Sequence, residues 1–392
     1  MKEEREVIKM ERRVLSETEF EKSIQLSQYA FQYIVKKEDL PKRFEMMKRQ
    51  EIWGEFENEE LISKLHIHSL EISIENQRFS MGGIAGVATW PEHRRKGSVT
   101  RLLQQALIRM KENGQSISFL HPFNIQFYRR FGWELTASLN KYTLNKSDLV
   151  RYEDVSGTIS RLSEEDGNDL LNTVYEGWFH SYNHLLVRSD YWWNNHVFTE
   201  GYNRILYKDE NGVPKGYLCC KVADKLLDVQ EFIYVNDDAR RALWNFICQH
   251  DSMVDKVKIV APSDDQLPFL LNNPRIHQEH YPYFMARIVD VESFVKQYPF
   301  KNMEGGLTLS ITDEKAEWNN GTFTIDEDGV TRDSKTEAAA LVMDVQTLAA
   351  ALLGSQKPQF LFSCGKIKGK QEDVERFEKI ITNKPAAFLD FF

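Results

Sequence analysis

The chain has 392 residues, 42% hydrophobic and 28% charged, with 24 Phe, 15 Tyr and 8 Trp to fill cores, which excludes extensive disorder and low-complexity or collagen-like polymers. Its 59 acidic and 50 basic side chains give a net charge of −9, the wrong sign for a dedicated nucleic-acid binder and favourable to cationic partners. The N-terminal MKEEREVIKMERR has no apolar signal core and the longest apolar stretch, 338–353, is broken by Asp344, Gln346 and Thr347, so no membrane partner and a cytoplasmic setting are expected.

Residues 7–15 read as a first strand. Ser16-Glu17-Thr18-Glu19 has the form of a capping box, and Phe20, Ile24, Phe31 and Ile34 follow at near-helical spacing. Leu40-Pro41 introduces a second helix. Residues 52–57, 70–74 and 79–89 read as strands, with Asn76-Gln77 as a turn. Over 98–112, Leu102, Leu103, Ala106, Leu107 and Met110 share a helical face, and Asn113-Gly114 ends it. A strand at 117–120, a short helix at 124–131 and a strand at 133–144 follow, with Gly132 as the turn.

A second segment repeats this order. Ser163-Glu164-Glu165-Asp166 is expected to cap a helix with Leu170, Val174 and Trp178 four apart. Residues 204–208 and 215–222 form a hairpin about Asn211-Gly212. A strand at 227–235, a helix at 238–250 and a strand at 257–261 complete it. The turn after Val235 echoes the turn after Val87 but lacks its glycine, as in a degenerate duplicate without a phosphate site; an unrelated α/β unit is the alternative.

From residue 301, short strands are expected at 307–311, 316–318, 322–326 and 338–343, with turns at Asn320-Gly321 and Asp328-Gly329. Asp344 caps a helix over 345–353 that Gly354 ends, and a last helix spans 371–381. The chain finishes Ala386-Ala387-Phe388-Leu389-Asp390-Phe391-Phe392. Solvated tails are usually polar, so Phe392 is expected to pack inside.

The segment richest in chemistry is Val87-Ala88-Thr89-Trp90-Pro91-Glu92-His93-Arg94-Arg95-Lys96-Gly97-Ser98, between a strand and a helix. A helix N-terminus presents unpaired N–H groups and partial positive charge to an anion. Gly97 removes a side chain where backbone must approach, and Arg94, Arg95 and Lys96 add charge. A pyrophosphate is the natural occupant, and a merely basic turn is the alternative. Neither GxxxxGK[ST] nor GxGxxG occurs. His66-x-His68 puts two imidazoles on one strand face without a third ligand, so no metal is expected. Tyr191-Trp192-Trp193 reads as buried, and the four cysteines form no CxxC pair.

Residues 79–133 resemble the acyl-CoA site of the GNAT superfamily of N-acetyltransferases. Arg94-Arg95-Lys96-Gly97-Ser98-Val99 matches the family's [QR]xxGx[GA], apart from Val99 at the last position. Tyr128-Arg129-Arg130-Phe131-Gly132-Trp133 matches its Tyr-xxx-Gly-aromatic stretch. The whole chain is similar to the enhanced intracellular survival family, which joins two acetyltransferase-like domains to a sterol-carrier-like one. The resemblance implies an α/β (α+β) chain. A GNAT domain over 1–150 would hold acetyl-CoA, a degenerate GNAT-like domain would cover 151–300, and a sterol-carrier-like α/β domain would cover 301–392. The implied cofactor-binding set is Val87, Ala88, Thr89, Arg94, Arg95, Lys96, Gly97, Ser98, Val99, Thr100 and Asn124. Tyr128 would be the general acid and the Phe392 carboxylate the base, with Asp390 in reserve to bind a substrate cation. The acceptor implied is an aminoglycoside or other polyamine, in a pocket lined by part of the acidic surplus, and the assembly implied is a homo-hexamer. Two alternatives stand beside it: acetylation of protein lysine, and a non-catalytic carrier whose C-terminal module holds an apolar ligand.

Overall fold

Alternating apolar strands and amphipathic helices assemble around two sheets in a computed structural model, which describes residues 9–153, 155–163, 166–198, 201–301, 303, 305–333 and 339–392. The larger sheet contains β1 (Met10–Val14), β2 (Gln50–Glu57), β3 (Glu60–Ile74), β4 (Gln77–Thr89), β5 (Ile117–Leu120), β6 (Glu134–Asn145), β7 (Thr158–Leu162), β8 (Asn203–Lys208), β9 (Pro214–Ala223), β10 (Leu226–Tyr234), β11 (Lys256–Pro262) and β12 (His277–Ile288). Their spatial order is β1-β2-β3-β4-β5-β12-β6-β11-β10-β9-β8-β7.

That order contains an exchange. β12 lies between β5 and β6, pairing antiparallel with both, Arg287 opposite Ser118 and Phe284 opposite Ala137. β6 in turn pairs with β11, Lys256 opposite Asn145. The two halves therefore share one continuous sheet. Sequence pattern does not anticipate β12, because its first half is polar and contains Pro282.

Local signals place the elements of the first half. The Ser16 N–H donates to Glu19 Oε2 at 2.9 Å ahead of the helix Phe20–Phe31. The helix Leu40–Met47 carries Pro41 in its first turn, where a missing N–H costs nothing. The helix Ser98–Glu112 buries Leu102, Leu103, Ala106, Leu107 and Met110 against Leu65, Ile67 and Trp133. Each buried leucine contributes roughly 1.5–3 kcal/mol.

In the second half the helix runs Asp169–Gly177; Glu164 and Glu165 of the expected cap lie outside the described residues. Val7 of the first expected strand does too.

The smaller sheet holds β13 (Leu307–Thr312), β14 (Gly321–Asp326), β15 (Gly329–Asp333), β16 (Leu341–Asp344) and β17 (Lys368–Gly369), in the order β15-β14-β13-β16-β17. Residues expected as a strand at 316–318 instead fall at the 3-10 turn Glu317–Asn319. The reason is Asn319, whose buried amide donates to Val289 O and Asp313 Oδ2 and so pulls the chain inward. Ala338 of the expected fourth strand lies outside the described residues. Asp344 Oδ1 accepts the Thr347 N–H at 2.8 Å and caps the helix Val345–Leu352. This helix and Phe388 of the tail belong to one apolar core.

The C-terminal tail runs back onto the larger sheet. Asn183 and the tail exchange backbone bonds, Asn183 N–H to Pro385 O at 2.8 Å and Ala387 N–H to Asn183 O at 2.9 Å. The Phe388 ring sits 5.3 Å from Phe119 and 4.6 Å from Phe284, over β5 and β12.

Candidate active site

β4 pairs parallel with β5 only as far as Ile84 opposite Leu120. Ala85 to Thr89 continue alone on that side, still paired with β3 on the other. A bulge falls in this stretch, where the register shifts between Lys64–Ala88 and His66–Ala85. Gly86 takes the left-handed conformation there, φ +55°, and a Cβ on it would press 2.9 Å from the His66 ring. The backbone of Val87, Ala88 and Thr89 thus borders an open cleft. Thr89 is fixed by its hydroxyl, 2.7 Å from Ser63 Oγ.

The turn after β4 ends at Gly97, φ +84°, which caps the helix Ser98–Glu112. The first intrahelical bond runs from Arg101 N–H to Gly97 O, so the amides of Ser98, Val99 and Thr100 precede it and point off the helix end. Arg95 and Lys96 are exposed beside them, while Arg94 Nε folds back to Thr89 O at 3.3 Å. Arg101, which sequence analysis did not single out, braces the turn. Its Nη1 donates to Lys96 O at 3.0 Å while Nε and Nη2 grip Glu55 at 2.8 and 2.6 Å. Burial opposes ionisation of Glu55, but its bonds to Arg101 and Ser98 outweigh that and hold its carboxyl below the usual range. A charged residue at an inward position of β2 is the signal that could have found this brace.

The matching turn in the second half is closed to anions. Asn236 Oδ1 accepts the Ala239 N–H at 2.9 Å, and Asp237 and Asp238 occupy the first turn.

Asn124 Oδ1 accepts the Phe127 N–H at 2.9 Å and caps the short helix Ile125–Arg129. This presents Tyr128, which is 2% exposed, among the rings of Phe123, Phe127 and Trp133. Its hydroxyl has no hydrogen-bond partner among the described residues, and burial pushes the phenol well above its ordinary value. Gly132 turns the chain at φ +89°, held by Arg287 of β12, which donates to Phe131 O and pairs with Asp313.

On the face of β3 and β4 opposite the helix Ser98–Glu112 lies a cavity of about 790 Å³. Lys64, His66, His68, Gly86, Asp390 and Phe392 all line it. The Phe392 ring rests on Gly83, where a Cβ would be 2.7 Å from Cε2, and lies 5.5 Å from His68 and 5.2 Å from Phe284. Phe391 is 58% exposed, with its ring 5.2 Å from His121. His68 and His196 are kept neutral, their values lowered by burial to about 3 and about 4. Among the described residues no three metal-ligating side chains cluster.

Asp390 is 4% exposed and engaged within the protein. It accepts from Arg188 Nε at 2.9 Å and from Trp192 Nε1 at 2.7 Å. Glu231, the other lining carboxylate, also bonds Arg188. The side chains of the wall are therefore not acidic as expected: Asp390 and Glu231 are matched by one buried guanidinium, and Arg43 adds positive charge. Acidic composition did not predict this, because most of the surplus lies elsewhere.

The comparisons with known proteins agree with this geometry. The acetyltransferase (GNAT) domain matches residues 11–136 and again 185–288, and the sterol carrier protein domain matches 291–389. The chain thus carries two GNAT acetyltransferase domains and has Eis N-acetyltransferases among its homologues. The N-acetyltransferase Eis of Mycobacterium tuberculosis is 25% identical over 315 residues, 75% of this chain and 76% of that protein. An uncharacterised N-acetyltransferase of Streptomyces avermitilis is 24% identical over 348 residues, 81% of this chain and 82% of its own. A crystal structure of a conserved protein of unknown function from Enterococcus faecalis, a probable N-acyltransferase, superposes with a TM-score of 0.93 at 27% identity. It covers 98% of this chain and 100% of that one. This acetyltransferase is thus an enzyme of mixed α/β build, two GNAT domains and a sterol-carrier-like domain, and its GNAT domains imply acetyl-CoA and an amine acceptor. The splayed strand and the free amides beside Gly97 fit that cosubstrate. Among the described residues no helix is long and apolar enough to cross a membrane.

Proposed function

We propose that this acetyltransferase moves the acetyl group of acetyl-CoA to a primary amine bound in the 790 Å³ cavity, with Tyr128 as general acid and the Phe392 carboxylate as base. The cosubstrate would lie along Val87, Ala88 and Thr89, its pyrophosphate at Arg94 to Thr100, with Asn124 beside it. The observation that carries this is the seat of Phe392, on Gly83 and in the same cavity as the Gly86 bulge. An α-carboxyl has an ordinary pKa near 3.5, so its part is to bind the acceptor ammonium and pass a proton onward. The neutral amine attacks the thioester carbon, the C–S bond breaks, and the Tyr128 hydroxyl protonates the departing thiolate. Burial keeps that phenol protonated until the thiolate forms.

A cationic polyamine such as an aminoglycoside is the acceptor the family resemblance supports, and the cavity volume suits a ligand of that size. The resemblance also supports a hexamer, a cytoplasmic setting and a division at 1–150, 151–300 and 301–392. The test is an acceptor screen read by free-thiol release, with mass measurement of the products. No thiol released and no added acetyl mass with any amine would end the proposal.

A further inference from the structure

Lys64 has a setting the mechanism above does not use. It projects from β3 opposite Ala88, beside the bulge, and is 0% exposed, packed at the wall of the cavity that holds Phe392. Among the described residues no carboxylate forms an ion pair with it. Its Nζ lies 2.7 Å from Ser27 Oγ and 2.8 Å from His66 Nε2. His66 Nδ1 in turn lies 2.7 Å from Gln50 Oε1. The Gln50 carbonyl holds the imidazole proton on Nδ1, which leaves Nε2 as an acceptor toward Lys64. A neutral lysine amine has two N–H donors and one lone pair. Ser27 and His66 take the donors, so the lone pair is free.

We propose that Lys64 is the base that finally accepts the proton of the acceptor ammonium. This rests on the acetyltransfer assigned above and names the destination of the proton that the Phe392 carboxylate is too weak to keep. One proton leaves the ammonium for the Lys64 amine, directly or through water. The freed amine forms the C–N bond as the C–S bond breaks, and Tyr128 protonates the thiolate. The excess proton left on nitrogen returns to the Tyr128 phenolate. Lys64 then releases its proton to solvent, so each turnover yields one amide, one thiol and one proton.

The electrostatics agree. Burial lowers Lys64 from its ordinary 10.5 to about 7, so both forms are present near neutrality. His66, on the same strand, is held neutral by burial and by Lys64 itself. The other charged or titratable groups on the cavity walls are Arg43 from the helix Leu40–Met47, His68 on β3, His196, Tyr33, Cys219, Tyr281, Tyr283 and the Arg188–Glu231–Asp390 cluster, with the terminal carboxylate of Phe392. A base of this kind contributes about 10²–10⁴-fold in rate.

The experiment measures free-thiol release from acetyl-CoA with neamine and with benzylamine, across pH 5.5–9, for the full chain and for Lys64→Met and Lys64→Arg. The expected wild-type kcat/KM rises with pH and levels off above about 7. Both variants should lose that inflection and at least ~100-fold in kcat, with the KM for acetyl-CoA unchanged. Thermal melts separate misfolding from lost chemistry: a Lys64→Met variant that melts no lower than wild type yet turns over ~100-fold more slowly supports the base. An inflection near 7 that persists in a folded Lys64→Met, or a kcat within threefold of wild type, overturns the role of Lys64 and leaves acetyltransfer standing. No thiol release by wild type with either amine overturns the acetyltransfer on which Lys64 depends.

Discussion

Arg188 holds Asp390 by three bonds, Nε to Oδ1 at 2.9 Å and to Oδ2 at 3.2 Å and Nη2 to Oδ2 at 3.2 Å, two residues before the C-terminus. The two residues are 202 positions apart and both are buried. The second GNAT domain thereby anchors the tail of the sterol-carrier-like domain over the cleft of the first. Breaking one partner of a buried pair costs about 3–5 kcal/mol, because the other charge stays buried. Asp390→Asn should therefore lower stability by about 3 kcal/mol and reduce kcat, while acetyl-CoA binding persists. Calorimetry with steady-state kinetics checks both parts; unchanged kcat would show that the anchor does not position Phe392.

Removing Phe391 and Phe392 moves the terminal carboxylate back to Asp390 and removes the ring seated on Gly83. Turnover should fall to background while acetyl-CoA affinity, measured by titration calorimetry, stays within about threefold. A truncated chain with full rate would remove Phe392 from the mechanism.

Tyr128→Phe removes a hydroxyl without orphaning a partner, since none bonds it among the described residues. Stability should change by less than about 1 kcal/mol, and kcat should drop about 10²-fold with little change in KM. An unchanged kcat would exclude Tyr128 as the acid.

Gly97→Val forces a β-branched side chain into φ +84° and puts a Cβ 2.9 Å from Arg101 Nη1. The strain is about 1–3 kcal/mol, and it falls on the turn that presents the free amides. KM for acetyl-CoA should rise at least tenfold with a smaller effect on kcat. Initial-rate kinetics at saturating amine decide this.

Lys64 also predicts a pH effect on stability. Its folded pKa, about 7, lies below its ordinary 10.5, so between these values the unfolded chain binds more protons and stability rises with pH. The penalty at neutral pH relative to pH 10.5 is about 5 kcal/mol at most. Lys64→Met should therefore be more stable than wild type at pH 7, with the difference shrinking toward pH 10. Denaturant titrations at the two pH values check the sign.

Periodic segments and turn residues were legible in the chain. The helix at 98–112, the capping box at Ser16, the Asp344 cap and the strand at 117–120 follow from local spacing and side-chain chemistry, which act within a few residues. The turn at Gly97 was equally legible, because Pro91, the basic run and Gly97 are contiguous. What local pattern cannot show is partnership at a distance. β12 is polar and proline-bearing by sequence, and becomes a strand only because the exposed edges of β5 and β6 supply its hydrogen bonds.

The sequence alone determined most of the periodic elements, the basic glycine turn and an apolar tail that water would not favour. The tertiary structure decided where that tail goes and what its charges meet. Asp390 reads as a free carboxylate near the end of the chain, and only folding brings Arg188 to it. Nothing in the sequence marked out Lys64, and only burial depresses its pKa. Arg188 and Asp390 are 202 positions apart and Lys64 and Ser27 are 37 apart, and no local rule of spacing encodes such meetings.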